Sequence, residues 1–181
     1  LDHTFAAKRS TCLVNPKAAY ETELVSVPVA KDKAKRVAVI GAGVAGLAFA
    51  EAAAQRGHHP EIFEAADQIG GQFNLAAQIP GKEDYGETLK YFSRRLEVLE
   101  VPVHLNTRAD VDELKTKFDH VIVATGVTPR IPGIDGIDHE KVIRYDELLS
   151  GAKQAGNKVA VIGAGGIGVD CLLYTSDAAD E

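Results

Sequence analysis

Methionine and tryptophan are missing from all 181 residues, and cysteine occurs only twice, at Cys12 and Cys171. Two cysteines cannot build the multi-bridge framework of a small secreted domain, so the expected compartment is a reducing cytoplasm. Long apolar runs are missing too. No stretch approaches the roughly 20 apolar residues that span a bilayer as a helix, and residues 1–10 are too mixed and polar for a secretory leader. Positive charge is in deficit: 20 Lys and Arg against 26 Asp and Glu leave a net charge of -6. That balance argues against nucleic acid or an anionic membrane as partner and leaves small molecules as the expected ligands. A Gly-x-Ser-x-Gly elbow is also missing, so nucleophilic hydrolysis has no support and no residue is assigned a catalytic role. With no Met and an opening Leu1, the expectation is a piece of a longer protein.

What is present is the mix of a soluble globular protein, with 45% hydrophobic and 25% charged residues. Residues 1–34 read as a connecting segment. A domain over 35–154 and the start of a second over 155–170 are expected to follow. Val37 to Ile40 is a short apolar run of the kind a buried parallel strand has. An alanine-rich helix is expected from Val44 to Arg56, stopped at Gly57. Ile62-Phe63 lies in a second strand ending at Glu64, and residues 65–82 read as a long loop. Tyr85 to Glu97 reads as a helix with Leu89, Phe92 and Leu96 inward and Lys90, Arg94 and Arg95 toward water. Val101–Leu105 and Val121–Ala124 are expected strands, Tyr145–Leu149 a short helix, and Val159–Ile162 a strand repeating the first. This alternation predicts an α/β fold, a Rossmann-like parallel sheet with the start of a second nucleotide-binding domain.

Gly41-Ala42-Gly43-Val44-Ala45-Gly46 is GxGxxG set between a predicted strand and a predicted helix. Gly41 permits the tight turn, Gly43 lets a pyrophosphate approach bare backbone, and Gly46 lets the helix pack closely on the sheet. The first turn, at Val44 and Ala45, then offers N–H groups and partial positive charge to the phosphates. Glu64 falls eighteen residues beyond Gly46, where a carboxylate can accept from both ribose hydroxyls and disfavours a 2′-phosphate.

The fingerprint fits the ADP half of either FAD or NAD. Ala124-Thr125-Gly126, closing an apolar strand, resembles the ATG motif of two-dinucleotide flavoproteins, and Gly70-Gly71-Gln72-Phe73 resembles their loop along the flavin pyrophosphate. These favour FAD. A second GxGxxG, with glycines Gly163, Gly165 and Gly168, follows the last predicted strand about 120 residues later. Two such loops suggest two dinucleotides, one presenting nicotinamide and the other the flavin that receives hydride. The residue that selects NADH or NADPH falls outside these motifs.

The words around these motifs are more specific. Leu1-Asp2-His3-Thr4-Phe5 and Cys12-Leu13-Val14-Asn15-Pro16 resemble the iron–sulfur segment of NADPH-dependent 2,4-dienoyl-CoA reductases, a group that includes 2-enoate reductases and trimethylamine dehydrogenase. The resemblance covers residues 1–170 and includes Gly71-Gln72-Phe73-Asn74 and Ile79-Pro80-Gly81-Lys82. It implies FAD contacts from Gln72 and Lys82 and a backbone contact near the adenine from Ala109. It also implies Cys12 as the fourth ligand of a 4Fe–4S cluster whose other three ligands lie elsewhere; a single thiolate holds no cluster. In the intact family member electrons run from NADPH through FAD, the cluster and FMN to an acyl-CoA substrate of fatty-acid β-oxidation. Without the resemblance, Lys82 reads as a solvated lysine.

Residues 171–181 depart from the family and resemble the in-frame translation of a transposase-type sequencing adapter, so they are set aside as a non-native tail. His58-His59 reads as a solvated turn, and His3, His104, His120 and His139 have no partners at ligand spacing. Two rivals stay open: an FAD-binding module without turnover, and another two-dinucleotide flavoprotein such as a glutamate synthase small-subunit relative.

Overall fold

The computed structural model describes residues 2–12, 14–15 and 17–177. Its helices and strands run in the order α1 (Asp2–Phe5), β1 (Arg36–Ile40), α2 (Val44–Gln55), β2 (His59–Phe63), α3 (Gln72–Ala76), α4 (Tyr85–Val98), β3 (Val103–His104), α5 (Val111–Lys117), β4 (His120–Val123), α6 (Tyr145–Leu149) and α7 (Gly166–Asp177). The chain divides into two compact units, Leu1–Gly70 with Glu87–Thr125, and Gly71–Gly86 with Gly126–Glu181.

Among the described residues, all four strands lie in the first unit. They form one parallel sheet in the order β3-β2-β1-β4, with Ile40 paired to Phe63 on one side and to Val123 on the other. Parallel neighbours need crossovers, and α2, α4 and α5 supply them. The core runs along β1, where Val37, Ala38 and Val39 are all buried, as in a parallel strand covered on both faces. Val39 joins Ile62, Leu47, Ala50, Phe92 and Leu96 in one cluster beneath α2 and α4. The stop of α2 is as expected: Gly57 has φ +84, and the His58 amide reaches back to the Ala53 carbonyl at 3.0 Å.

Five expectations are corrected. Residues 65–82 are not all loop, since α3 occupies Gln72–Ala76. The third strand shrinks to Val103–His104, and His59 opens β2 instead of lying in a turn. Arg95 turns inward to Glu51 rather than out to water. Val159–Ile162 forms no strand: Val159 is 50% and Ile162 82% exposed, and no strand lies in the second unit among the described residues. A parallel strand exists only through its neighbours' hydrogen bonds, so apolar sequence alone does not make one. Of the segment set aside as a tail, residues 171–177 continue α7, and the Cys171 side chain is buried. Residues 178–181 lie outside the described residues.

Thr88 on α4 is fully buried and its hydroxyl has no hydrogen-bond partner among the described residues. An unmet buried hydroxyl destabilises, whereas valine keeps the shape without it. Thr88→Val is therefore expected to stabilise the protein by about 1 kcal/mol, a rise of roughly 2–4 °C in thermal midpoint. A fall in midpoint contradicts it.

Candidate functional site

The strand order reverses direction between β1 and β4, and ligands of open α/β sheets sit beyond the carboxyl ends of strands at such a switch. The first glycine loop leaves β1 at that place. Gly41 has φ +104, and a Cβ there would overlap the Ala124 carbonyl just past β4. A Cβ at Gly46 would overlap the Gly41 carbonyl, so the first turn of α2 packs directly on the loop. Gly43 differs, because a Cβ there would meet nothing within 4 Å. As N-cap of α2 it supplies no side-chain cap, and the first turn holds no acidic residue. Bare backbone thus opens onto free space at the positive end of a twelve-residue helix. Val44 and Ala45 form that first turn.

Glu64 stands one residue beyond β2 and is half-buried. Its Oε2 accepts from the Ala42 amide at 2.6 Å and its Oε1 from the Ala66 amide at 2.8 Å. The Glu64 backbone is held in turn, its amide donating to the His104 carbonyl and its carbonyl accepting from Thr107. The Ala42 carbonyl accepts from the Gly70 amide at 2.8 Å. Ala109, also half-buried, precedes Asp110, the N-cap of α5. Ala124 and Thr125 follow β4 in the first unit, so Gly41, Gly43, Val44, Ala45, Gly46, Glu64, Ala109, Ala124 and Thr125 share one body.

Gln72, Lys82, Gly126, Gly163, Gly165 and Gly168 belong to the second unit. Gly71 has φ 53 and ψ -127, open chiefly to glycine, and caps α3. The Gln72 side chain is already engaged, donating to the Val127 carbonyl at 3.0 Å and accepting from the Tyr145 hydroxyl at 3.4 Å. Lys82 is not a solvated lysine, since its Nζ pairs with Asp170 Oδ1 at 2.6 Å. The second glycine loop repeats the first in backbone: Gly163 has φ +119, Gly165 faces open space, and a Cβ at Gly168 would overlap the Gly163 carbonyl. No strand neighbours it among the described residues, and a Cβ at Gly163 itself would meet nothing within 4 Å.

Cys12 is exposed, and among the described residues no three His, Cys, Asp or Glu side chains gather as a metal site. His104 does have a partner that spacing could not disclose, Glu61 at 3.2 Å from the next strand. Sequence reasoning also missed Glu51. This buried α2 carboxylate accepts from Tyr91 at 2.9 Å, Arg95 at 2.8 Å and Gln55 at 2.9 Å. Its only signal was a charge at an inward position of an alanine-rich helix. Burial, then the Glu51 hydrogen bond, raises the Tyr91 phenol above its ordinary range. No described helix is long and apolar enough to cross a membrane.

Comparison with known proteins agrees with this geometry. The chain is 38% identical over 186 residues to a metal reductase of Desulforamulus reducens, covering 98% of this chain and 27% of the relative. It is 35% identical over 167 residues to a bilirubin reductase of Mediterraneibacter gnavus, covering 88% and 25% respectively. The solved structure of a 2-naphthoyl-CoA reductase in complex with 2-naphthoyl-CoA superimposes with a TM-score of 0.89 at 34% identity, over 98% of this chain and 27% of that one. The chain spans about a quarter of the length of the curated relatives it matches. The model of the pyridine nucleotide-disulphide oxidoreductase family matches residues 35–181. With the parallel sheet, the glycine loop at its switch point and Glu64 beside it, this chain belongs to the pyridine nucleotide-disulphide oxidoreductase family.

Proposed function

We propose that this chain is the FAD-binding part of a flavin-dependent reductase that draws hydride from NADPH or NADH. The full protein, on this reading, reduces a 2,4-dienoyl-CoA or a related conjugated acyl-CoA in the cytoplasm. One observation carries it: a bare glycine turn at the switch point, tied to the Glu64 carboxylate in the same body. The similarity to a 2-naphthoyl-CoA reductase supports the acyl-CoA class.

The residues fit the ADP half of FAD. Open space at Gly43 and an uncapped, acid-free first turn suit a pyrophosphate, with Val44, Ala45 and Gly46 supplying backbone. Glu64 stands where ribose hydroxyls can donate to it, and Ala109 offers backbone toward the adenine. Ala124, Thr125 and Gly126 take the side nearer the flavin. Gln72 and Lys82 enter on the family resemblance, and Gly163, Gly165 and Gly168 are assigned to the nicotinamide dinucleotide. FAD, when bound, supplies a ring that accepts hydride and releases electrons singly. Cys12 alone does not fit a 4Fe–4S cluster, so no step is assigned through it, and none through FMN.

The test is to add excess FAD, remove the free flavin and record the absorbance of the protein, then follow NADPH consumption. Near-stoichiometric flavin is expected. Colourless, folded protein sinks the proposal. The unpaired approach to the second loop favours a binding module without turnover, which would show flavin uptake and no NADPH oxidation.

A further inference from the structure

We propose that Glu64 is a positioning residue that braces the glycine loop, beyond any role toward ribose; the inference rests on the dinucleotide reading above. Ala42 is fully buried between Gly41 and Gly43, and both its backbone polar groups are held from outside the loop. Its amide donates to Glu64 Oε2 at 2.6 Å, and its carbonyl accepts from the Gly70 amide at 2.8 Å. A buried amide needs an acceptor, and a carboxylate is a stronger one than a neutral oxygen. The Ala66 amide at 2.8 Å from Oε1 fixes the other end of the same carboxylate. The orientation of the Gly41–Ala42 peptide is thereby set by Glu64, and that of the next peptide, into Gly43, by the Gly70 amide.

The brace leaves room for a diol. Each carboxylate oxygen has two lone pairs, so one backbone N–H on each leaves one acceptor site per oxygen for two neighbouring hydroxyls. The two tasks can be separated, because a nucleotide without ribose hydroxyls engages only the braced loop.

The experiment compares wild type with Glu64→Gln, each titrated with ADP and with 2′,3′-dideoxy-ADP, and with the Ala42 amide followed by hydrogen exchange. Glutamine has one carbonyl oxygen for two N–H donors, and its own NH2 faces the other. Glu64→Gln is expected to bind the dideoxy nucleotide about fivefold to tenfold more weakly than wild type, and Ala42 to exchange faster by a similar factor. Glu64→Asp, shorter by one methylene, is expected to act in the same direction with the charge kept. Circular dichroism shows that each variant is folded. Equal affinity of wild type and Glu64→Gln for the dideoxy nucleotide overturns the proposal, as does an unchanged Ala42 exchange rate. If wild type takes up neither FAD nor ADP, the dinucleotide reading fails, and the exchange rate still decides the brace.

Discussion

Gly46→Ala is expected to abolish FAD uptake and to lower stability by about 3 kcal/mol, the upper end for overpacking a core. The reason is local and rigid. The added methyl would overlap the Gly41 carbonyl and approach Val39 Cγ1 at 3.3 Å, both parts of the sheet's central strand and its exit. A flexible side chain could swing aside, but a carbonyl in the turn cannot move without shifting the loop. Because Gly46 is also buried in the first turn of α2, relief requires lifting the helix from the sheet, which withdraws the backbone N–H groups from the phosphate position. Chemical denaturation and an FAD titration of the variant check both halves. Gly43→Ala is the informative companion: its Cβ meets nothing within 4 Å, so the fold should tolerate it while FAD affinity falls. Unchanged FAD binding in both variants removes the loop from the site.

Glu51→Ala is expected to cost about 2–4 kcal/mol, as deletion of one partner of a buried ion pair does. Glu51 is 5% exposed, and its carboxylate collects three donors, from Tyr91, Arg95 and Gln55. Its loss strands them unequally. Arg95 is 35% exposed on its side chain and regains water, which holds the effect toward the lower figure. Gln55 also carries the connection onward, accepting from Lys17 at 2.9 Å and Ser26 at 3.0 Å, so residues 17–26 should loosen as well. Urea unfolding measures the first effect and limited proteolysis of the leading segment the second. A loss below about 0.5 kcal/mol, the range of ordinary surface substitutions, refutes the network's importance.

The parts of the fold that were legible in the sequence are those whose signal is local. Val37–Ile40, the glycine turn and the alanine-rich helix read correctly because strand, turn and helix each follow from neighbouring residues. Glu64 was legible through its spacing from Gly46. What failed depends on partners distant in sequence. Val159–Ile162 matches β1 in composition but pairs with no strand among the described residues. Arg95 looked like one more charge on a wet helix face until Glu51, forty-four positions away, turned it inward. The Lys82–Asp170 pair spans eighty-eight positions and left no trace in either neighbourhood.

The second glycine loop keeps the backbone form of the first although its own unit holds no strand among the described residues, down to the same carbonyl beneath its third glycine. The helix after it is tied far upstream, through Asp170 to Lys82, but the turn itself is set by contacts a few residues apart. Segments of that kind close quickly, with little chain entropy lost before they are rewarded. Such a turn can form early, before any neighbouring strand is in place, and so act as a local starting point of folding.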